Sequence, residues 1–196
     1  MNTIAGVLVG GVSRRMGRPK ALLRREGRTL SERTVAVARD AIGEIVLLGR
    51  PPFELPASLT NADVIEDLYP GMGPPGALAT FFSVRPNNAL VLIACDLPLL
   101  TADLLRRLQP EPGVDAVVFA TRAPPGGWEP CCGLYLPSAA PTARQAIERA
   151  AALGAGVSMK HLLQQLRVHT IALDPTDAAL LRNLNTPEDA AELEWN

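Results

Sequence analysis

Net charge, cysteine, histidine and aromatic residues are all scarce in this chain, and each scarcity removes a class of function. Nineteen Lys and Arg face twenty Asp and Glu, for a formal net charge of −1 over 196 residues. A nucleic-acid binder needs a basic surplus to neutralise phosphates, so no nucleic acid is expected as partner. Cys95, Cys131 and Cys132 are the three cysteines. An odd count with two adjacent members is no disulfide framework, and the spacing suits no zinc site. They read as small buried hydrophobes. His161 and His169 lack a Cys or Asp partner at useful spacing and read as surface or packing residues. No apolar run approaches the roughly 20 residues that span a bilayer, and Met1 leads directly into an apolar segment. No membrane partner, no signal peptide and a cytoplasmic location are expected. Repeats and low-complexity tracts are absent as well, so residues 1–196 read as a single domain.

What is present is concentrated in residues 4–23, I-A-G-V-L-V-G-G-V-S-R-R-M-G-R-P-K-A-L-L. The apolar run at 4–9 has the length and β-branching of a buried strand. It empties into Gly10 and Gly11, with Gly17, Arg14, Arg15 and Lys20 following. Glycines let backbone N–H groups approach phosphate oxygens, and cations offset their charge. Two familiar phosphate loops are excluded. Lys20 lies between Pro19 and Ala21 rather than in Gly-Lys-Ser/Thr, and Gly10-Gly11-Gly17 does not space as G-x-G-x-x-G. Ser13 lacks the G-x-S-x-G context of a nucleophile, and Arg24-Arg25 reads as a solvated turn.

Further along, Thr29 and Glu32 form a T-x-x-E capping box, Val35, Ala38 and Ile42 recur at helical spacing, and Gly43 offers a stop. Apolar strands are expected at 44–48, 62–66, 89–94, 114–120, 132–136 and 168–173. Helices are expected at 77–84, after Thr101 through 108, at 139–153, at 158–166 and after Thr186-Pro187. Alternating helices and uniformly apolar strands predict a mostly parallel sheet covered on both faces, an α/β/α sandwich of Rossmann-like kind. Ligands of such sheets bind at the carboxyl ends of strands, where Gly10-Gly11, Asp67 and Asp96 all fall. A carboxylate such as Asp96 can hold Mg²⁺ shared with substrate phosphates. Arg15, Lys20 and an Asp96-held Mg²⁺ would together offset the charge of a nucleoside triphosphate.

The chain resembles the molybdenum cofactor guanylyltransferases, the MobA-type enzymes of the nucleotidyltransferase superfamily. The resemblance rests on L-V-G-G-V-S-R-R-M-G-R-P-K-A-L-L (8–23), I-E-D-L-Y-P-G-M-G-P-P-G (65–76), C-D-L-P-L-L (95–100), E-P-C-C-G-L-Y (129–135) and N-L-N-T-P-E-D (183–189). It implies a nucleotide-diphospho-sugar transferase-like sandwich that transfers GMP from GTP to molybdenum-bound molybdopterin, releasing pyrophosphate. Carried over by position, Leu8, Val9, Gly10, Gly11, Lys20 and Asp67 would bind GTP, Arg15 its phosphates, and Asp96 the Mg²⁺. Arg15, Lys20 and Asp96 would be the catalytic groups, and Asn183 and Asn185 would face the pterin. The resemblance also implies a GTP-binding accessory protein and molybdoenzyme chaperones as partners, with the enzyme a monomer or weak oligomer. The related cytidylyltransferases tend to carry Ala-Gly where this chain has Gly10-Gly11, which points to GTP. Val9 replaces the family's usual alanine, and Pro75 stands where leucine is common. The alternatives are the same chemistry with CTP or a sugar-phosphate acceptor, or a non-catalytic nucleotide-binding scaffold.

Overall fold

A computed structural model describes residues 1–10, 19–51, 53–120 and 127–196. In chain order, β1 (Thr3–Leu8) is followed by a two-strand ribbon, β2 (Arg24–Arg25) and β3 (Arg28–Thr29), and then by α1 (Leu30–Ile42) and β4 (Ile45–Leu48). Next come β5 (Val64–Ile65), α2 (Gly73–Val84), β6 (Ala89–Ala94), α3 (Ala102–Arg106), β7 (Ala116–Ala120) and β8 (Trp128–Tyr135). The chain closes with α4 (Ala140–Ala152), α5 (Met159–Leu163), β9 (Val168–Ala172), α6 (Pro175–Ala179) and α7 (Pro187–Glu192).

The seven-stranded sheet runs β5-β4-β1-β6-β8-β7-β9. All its neighbours pair in parallel except β8, which is antiparallel to both β6 and β7. The chain leaves β1 toward β4 and β5, then returns to place β6 on the other side of β1. A cleft opens at such a reversal, outside the carboxyl ends of the strands.

Two apolar layers hold the sandwich together. On one face Ile4, Leu90, Leu92 and Tyr135 pack with Leu78 and Phe81 of α2, Ile147 of α4 and Leu162 of α5. On the other, Val7, Val91 and Ile93 pack with Val35 of α1 and Leu104 and Leu105 of α3. Burying each such aliphatic or aromatic side chain contributes about 1.5–3 kcal/mol. A smaller cluster of Leu23, Leu30, Leu184, Ala190 and Trp195 fastens α7 beneath the start of α1.

The α1 capping box forms as expected, with Thr29 accepting from Glu32 N–H and the Glu32 side chain accepting from Thr29 N–H. Helix α2 begins at Gly73, four residues before the expected start, because prolines fit a first turn whose N–H groups have no intrahelical partner. Arg24 and Arg25 belong to a ribbon closed by Glu26 and Gly27, both at positive φ, rather than to a solvated turn. Strand β8 starts four residues before the expected Cys132, and α6 was not expected at all. His161 and His169 are exposed on α5 and β9, as expected. No helix among the described residues is long and apolar enough to cross a membrane.

Candidate active site

The cleft at the reversal has a volume of about 340 Å³. Its walls include Leu8, Val9 and Gly10 from the end of β1, Lys20 from the turn Lys20–Leu22, Asp96 from the end of β6, Glu129 from the start of β8, and Asn183. Because β8 runs antiparallel, its first residues reach the same edge as the last residues of β6.

Lys20 is the hub. Its ammonium donates to Asn185 Oδ1 at 2.7 Å and lies 3.4 Å from Asp96 Oδ2. With side-chain exposures of 15% and 23%, Lys20 and Asp96 are shielded from solvent more than a surface pair is. Asp96 Oδ1 is buried and accepts no hydrogen bond from the described residues. A buried carboxylate oxygen left over after its ion pair suits a hard divalent cation, and Mg²⁺ favours one or two carboxylates completed by phosphate oxygens. No cluster of three or more His, Cys, Asp or Glu among the described residues could hold a metal by itself. The donor set therefore fits a cation brought in with phosphates.

The loop behind Asp96 is clamped from α1, where Arg33 donates to the carbonyl oxygens of Pro98 at 2.7 Å and Leu100 at 3.3 Å. Burial pulls the Arg33 pKa down from its ordinary value. On the other side, Leu184 N–H donates to Asp96 O at 2.8 Å, holding the N-L-N segment against the strand end. The segment is fixed again from α7, whose Asp189 Oδ2 accepts the backbone N–H groups of Asn185 and Thr186, each at 2.9 Å. Those two bonds, with Arg182, hold the Asp189 carboxyl down at about 2.

Asp67 stands further along the edge. The ends of β1, β4 and β5 are stepped, with Gly10 against Gly49 and Gly49 against Asp67. A methyl on Gly49 would come within 3.2 Å of Asp67 Oδ2 and 3.5 Å of Gly10 Cα, and Gly49 has φ +82°. Glycine meets that spacing and that conformation without strain. Asp67 carries solvent on its outer side, while partial burial pushes its carboxyl above the ordinary value. It lies outside the wall of the cleft itself, next to its floor.

The structure thus gathers Leu8, Val9, Gly10, Lys20, Asp96, Asn183 and Asn185, with Asp67 adjoining. Gly11 and Arg15 lie outside the described residues, as do Ser13, Arg14 and Gly17. Cys132 is buried as expected, whereas Cys95 and Cys131 line the cleft; burial first, then neighbouring acids, pushes both thiols up to about 12. They are protonated wall groups, not nucleophiles. Two further residues were not anticipated. Gly49 carries a weak signal as a glycine directly after an apolar strand. Glu129 stood within a recognised segment, but its delivery into the cleft depends on strand pairing.

A family model described as the MobA-like NTP transferase domain matches residues 5–171. The chain belongs to the MobA-like NTP transferases. The molybdenum cofactor guanylyltransferase of Xanthomonas euvesicatoria is 32% identical over 95% of this chain and 92% of its own. A probable molybdenum cofactor guanylyltransferase of Opitutus terrae is 33% identical over 96% of this chain and 93% of its own. Among solved structures, the molybdopterin-guanine dinucleotide biosynthesis protein A of Archaeoglobus fulgidus superposes with a TM-score of 0.76 at 26% identity, covering 98% of this chain and 97% of that one. The MobA-like match spans every strand from β1 to β9 except the first two residues of β1 and the last residue of β9.

Proposed function

We propose that this MobA-like chain, acting as one nucleotidyltransferase domain, transfers GMP from GTP to the terminal phosphate of molybdenum-bound molybdopterin. A phosphate oxygen of the pterin forms a bond to the α-phosphorus of GTP, the bond to the β-phosphate oxygen breaks, and pyrophosphate leaves. The observation that carries this reading is the Lys20 ammonium held between Asp96 and Asn185 in the wall of a cleft that Gly10 also lines.

Such a reaction joins two anions, so positioning and charge neutralisation do most of the work. Lys20 supplies a fixed positive charge beside the phosphates. Gly10 exposes backbone at the end of β1, where no Cβ keeps the nucleotide away. Asp67 stands at the nucleotide side of the edge and Asn183 and Asn185 at the acceptor side, with Arg15 assigned to the triphosphate. Asp96 would hold Mg²⁺, which neutralises charge on the leaving pyrophosphate. The curated relatives are named as guanylyltransferases, which supports GTP over CTP and molybdopterin over a sugar phosphate.

The test is pyrophosphate release measured side by side with GTP, CTP and ATP, with molybdopterin present and Mg²⁺ supplied or chelated. Release with GTP that requires both molybdopterin and Mg²⁺ is expected. Release with CTP alone overturns the base assignment. GTP binding without release, with competent acceptor present, marks a scaffold instead.

A further inference from the structure

Glu129 reaches the cleft through a distortion of β8. Pairing with β6 proceeds in register as far as Ile93 opposite Cys132. Beyond that pairing Asp96 and Glu129 both line the cleft. Against β7 the register shifts, so that Gly133 faces Val118 but Glu129 already faces Phe119. Residues 130–132 are the surplus, and a bulge of this kind re-aims the side chains beyond it. Pro130 has no N–H to lose from the ladder. The fully buried Tyr135 pins the bulge by donating its hydroxyl to Pro130 O at 2.7 Å.

The carboxylate so delivered accepts from the Cys131 backbone N–H and from an amide. Asn183 Nδ2 donates to Glu129 Oε2 at 3.4 Å. Asn183 thus turns its NH₂ toward Glu129, leaving Oδ1 as the group offered to a ligand. Two residues on, the chemistry is reversed. The Lys20 ammonium only donates, so Asn185 must turn Oδ1 toward it and offer Nδ2. Leu184, between them, is locked to Asp96 O. The two asparagines are therefore oriented by charges of opposite sign.

We propose that Glu129 is a positioning residue for the acceptor: it fixes the Asn183 amide so that Oδ1 accepts a hydrogen bond from an N–H group of the acceptor substrate. The inference rests on the transferase reading above. The ligand chemistry is a heterocycle with N–H donors, such as the 2-aminopyrimidinone ring of a pterin, entering from the β8 side of Asp96 while the nucleotide occupies the β1 side. A free carboxylate facing the anionic acceptor directly would repel its phosphate. Bonded to Asn183, the same carboxylate acts through a neutral amide.

Steady-state kinetics with molybdopterin and GTP on Glu129→Gln, Asn183→Ala, Asn183→Asp and the combinations tests this. Glu129→Gln removes the charge that sets the amide and is expected to raise the acceptor KM about tenfold, with the GTP KM unchanged. In an Asn183→Ala background, Glu129→Gln is expected to add nothing, since it acts through that side chain. Asn183→Asp alone sets two carboxylates against each other and raises the acceptor KM further. Combined with Glu129→Gln, it restores a donor–acceptor pair and is expected to recover part of what Asn183→Asp alone loses in acceptor KM, which a merely structural role does not predict. Equal effects of Glu129→Gln in both backgrounds, or failure of the exchanged pair to recover, overturn the inference. A raised Mg²⁺ requirement in Glu129→Gln with the acceptor KM intact overturns it in favour of a direct cation ligand. If the wild-type chain binds GTP yet releases no pyrophosphate with molybdopterin, both readings fall; an active wild type with additive variants removes this inference alone.

Discussion

Lys20 and Asp96 meet across 76 residues of sequence, the lysine ammonium 3.4 Å from Asp96 Oδ2. The pair joins the turn after the glycine loop to the end of the central strand β6, so the charge pattern of the site exists only in the folded chain. Asp96→Asn is expected to lower GTP turnover by about 10²–10³-fold, the scale of losing a charged transition-state group, while the thermal midpoint holds. Turnover near wild type would remove Asp96 from the cation role.

Gly49 is the spacer that lets Gly10 and Asp67 approach. Gly49→Ala forces a side chain into φ +82° and brings its methyl to 3.2 Å from Asp67 Oδ2. Left-handed backbone costs an alanine about 1–2 kcal/mol, which urea unfolding reads directly. A raised KM for GTP with the acceptor KM unchanged is also expected. Loss of stability with an unchanged GTP KM would separate Asp67 from the nucleotide.

Gly10 is exposed, and a Cβ there would meet Gly49 Cα at 3.7 Å, ordinary contact distance. Gly10→Ala is thus tolerated by the fold and converts the loop to the Ala-Gly form. The ratio of kcat/KM for GTP over CTP is expected to fall by about tenfold with no change in thermal midpoint. An unchanged ratio would place base selection elsewhere in the site.

How much of this could be read from residues alone varies with the physics involved. Residues 89–94 are an uninterrupted apolar run and form β6 over those bounds, and the capping box at Thr29 and Glu32 fixed the start of α1. Both signals are local. The antiparallel setting of β8 was not legible, because strand direction is decided by distant partners, β6 and β7. The bulge that aims Glu129 was hidden for the same reason, although Pro130 marks it. Asp96 and Lys20 stood out by their places after an apolar strand and after the glycines, and the two asparagines only through the family resemblance; the fold brings all four together. The opposite amide orientations of the asparagines were not legible, since these depend on which charge each meets after folding.

Asp115 supplies a stability prediction away from the cleft. Its carboxylate, 10% exposed, accepts from Arg167 Nη2 at 2.7 Å and from Nε and the backbone N–H at 3.0 Å, tying β7 to the start of β9. The Arg167 hydrogen bonds hold this carboxyl well below the usual range. Since the folded-state pKa is depressed, the added stability is present above the unfolded value of about 3.9 and drains away as pH falls below it. Asp115→Asn is expected to cost about 1–3 kcal/mol at pH 7 in urea unfolding, with the gap from wild type beginning to narrow below about pH 4 and shrinking further as pH falls toward the depressed folded-state value. A gap that stays constant to pH 3 would contradict the ion-pair account.

Guanylyl transfer onto a pterin phosphate in this cleft is read out by following the α-phosphate of GTP. With α-labelled GTP, molybdopterin and Mg²⁺, the label is expected to appear in a pterin–guanine dinucleotide with one pyrophosphate released per product. Label that remains in GTP, or that passes to a sugar phosphate while molybdopterin stays unmodified, would contradict it.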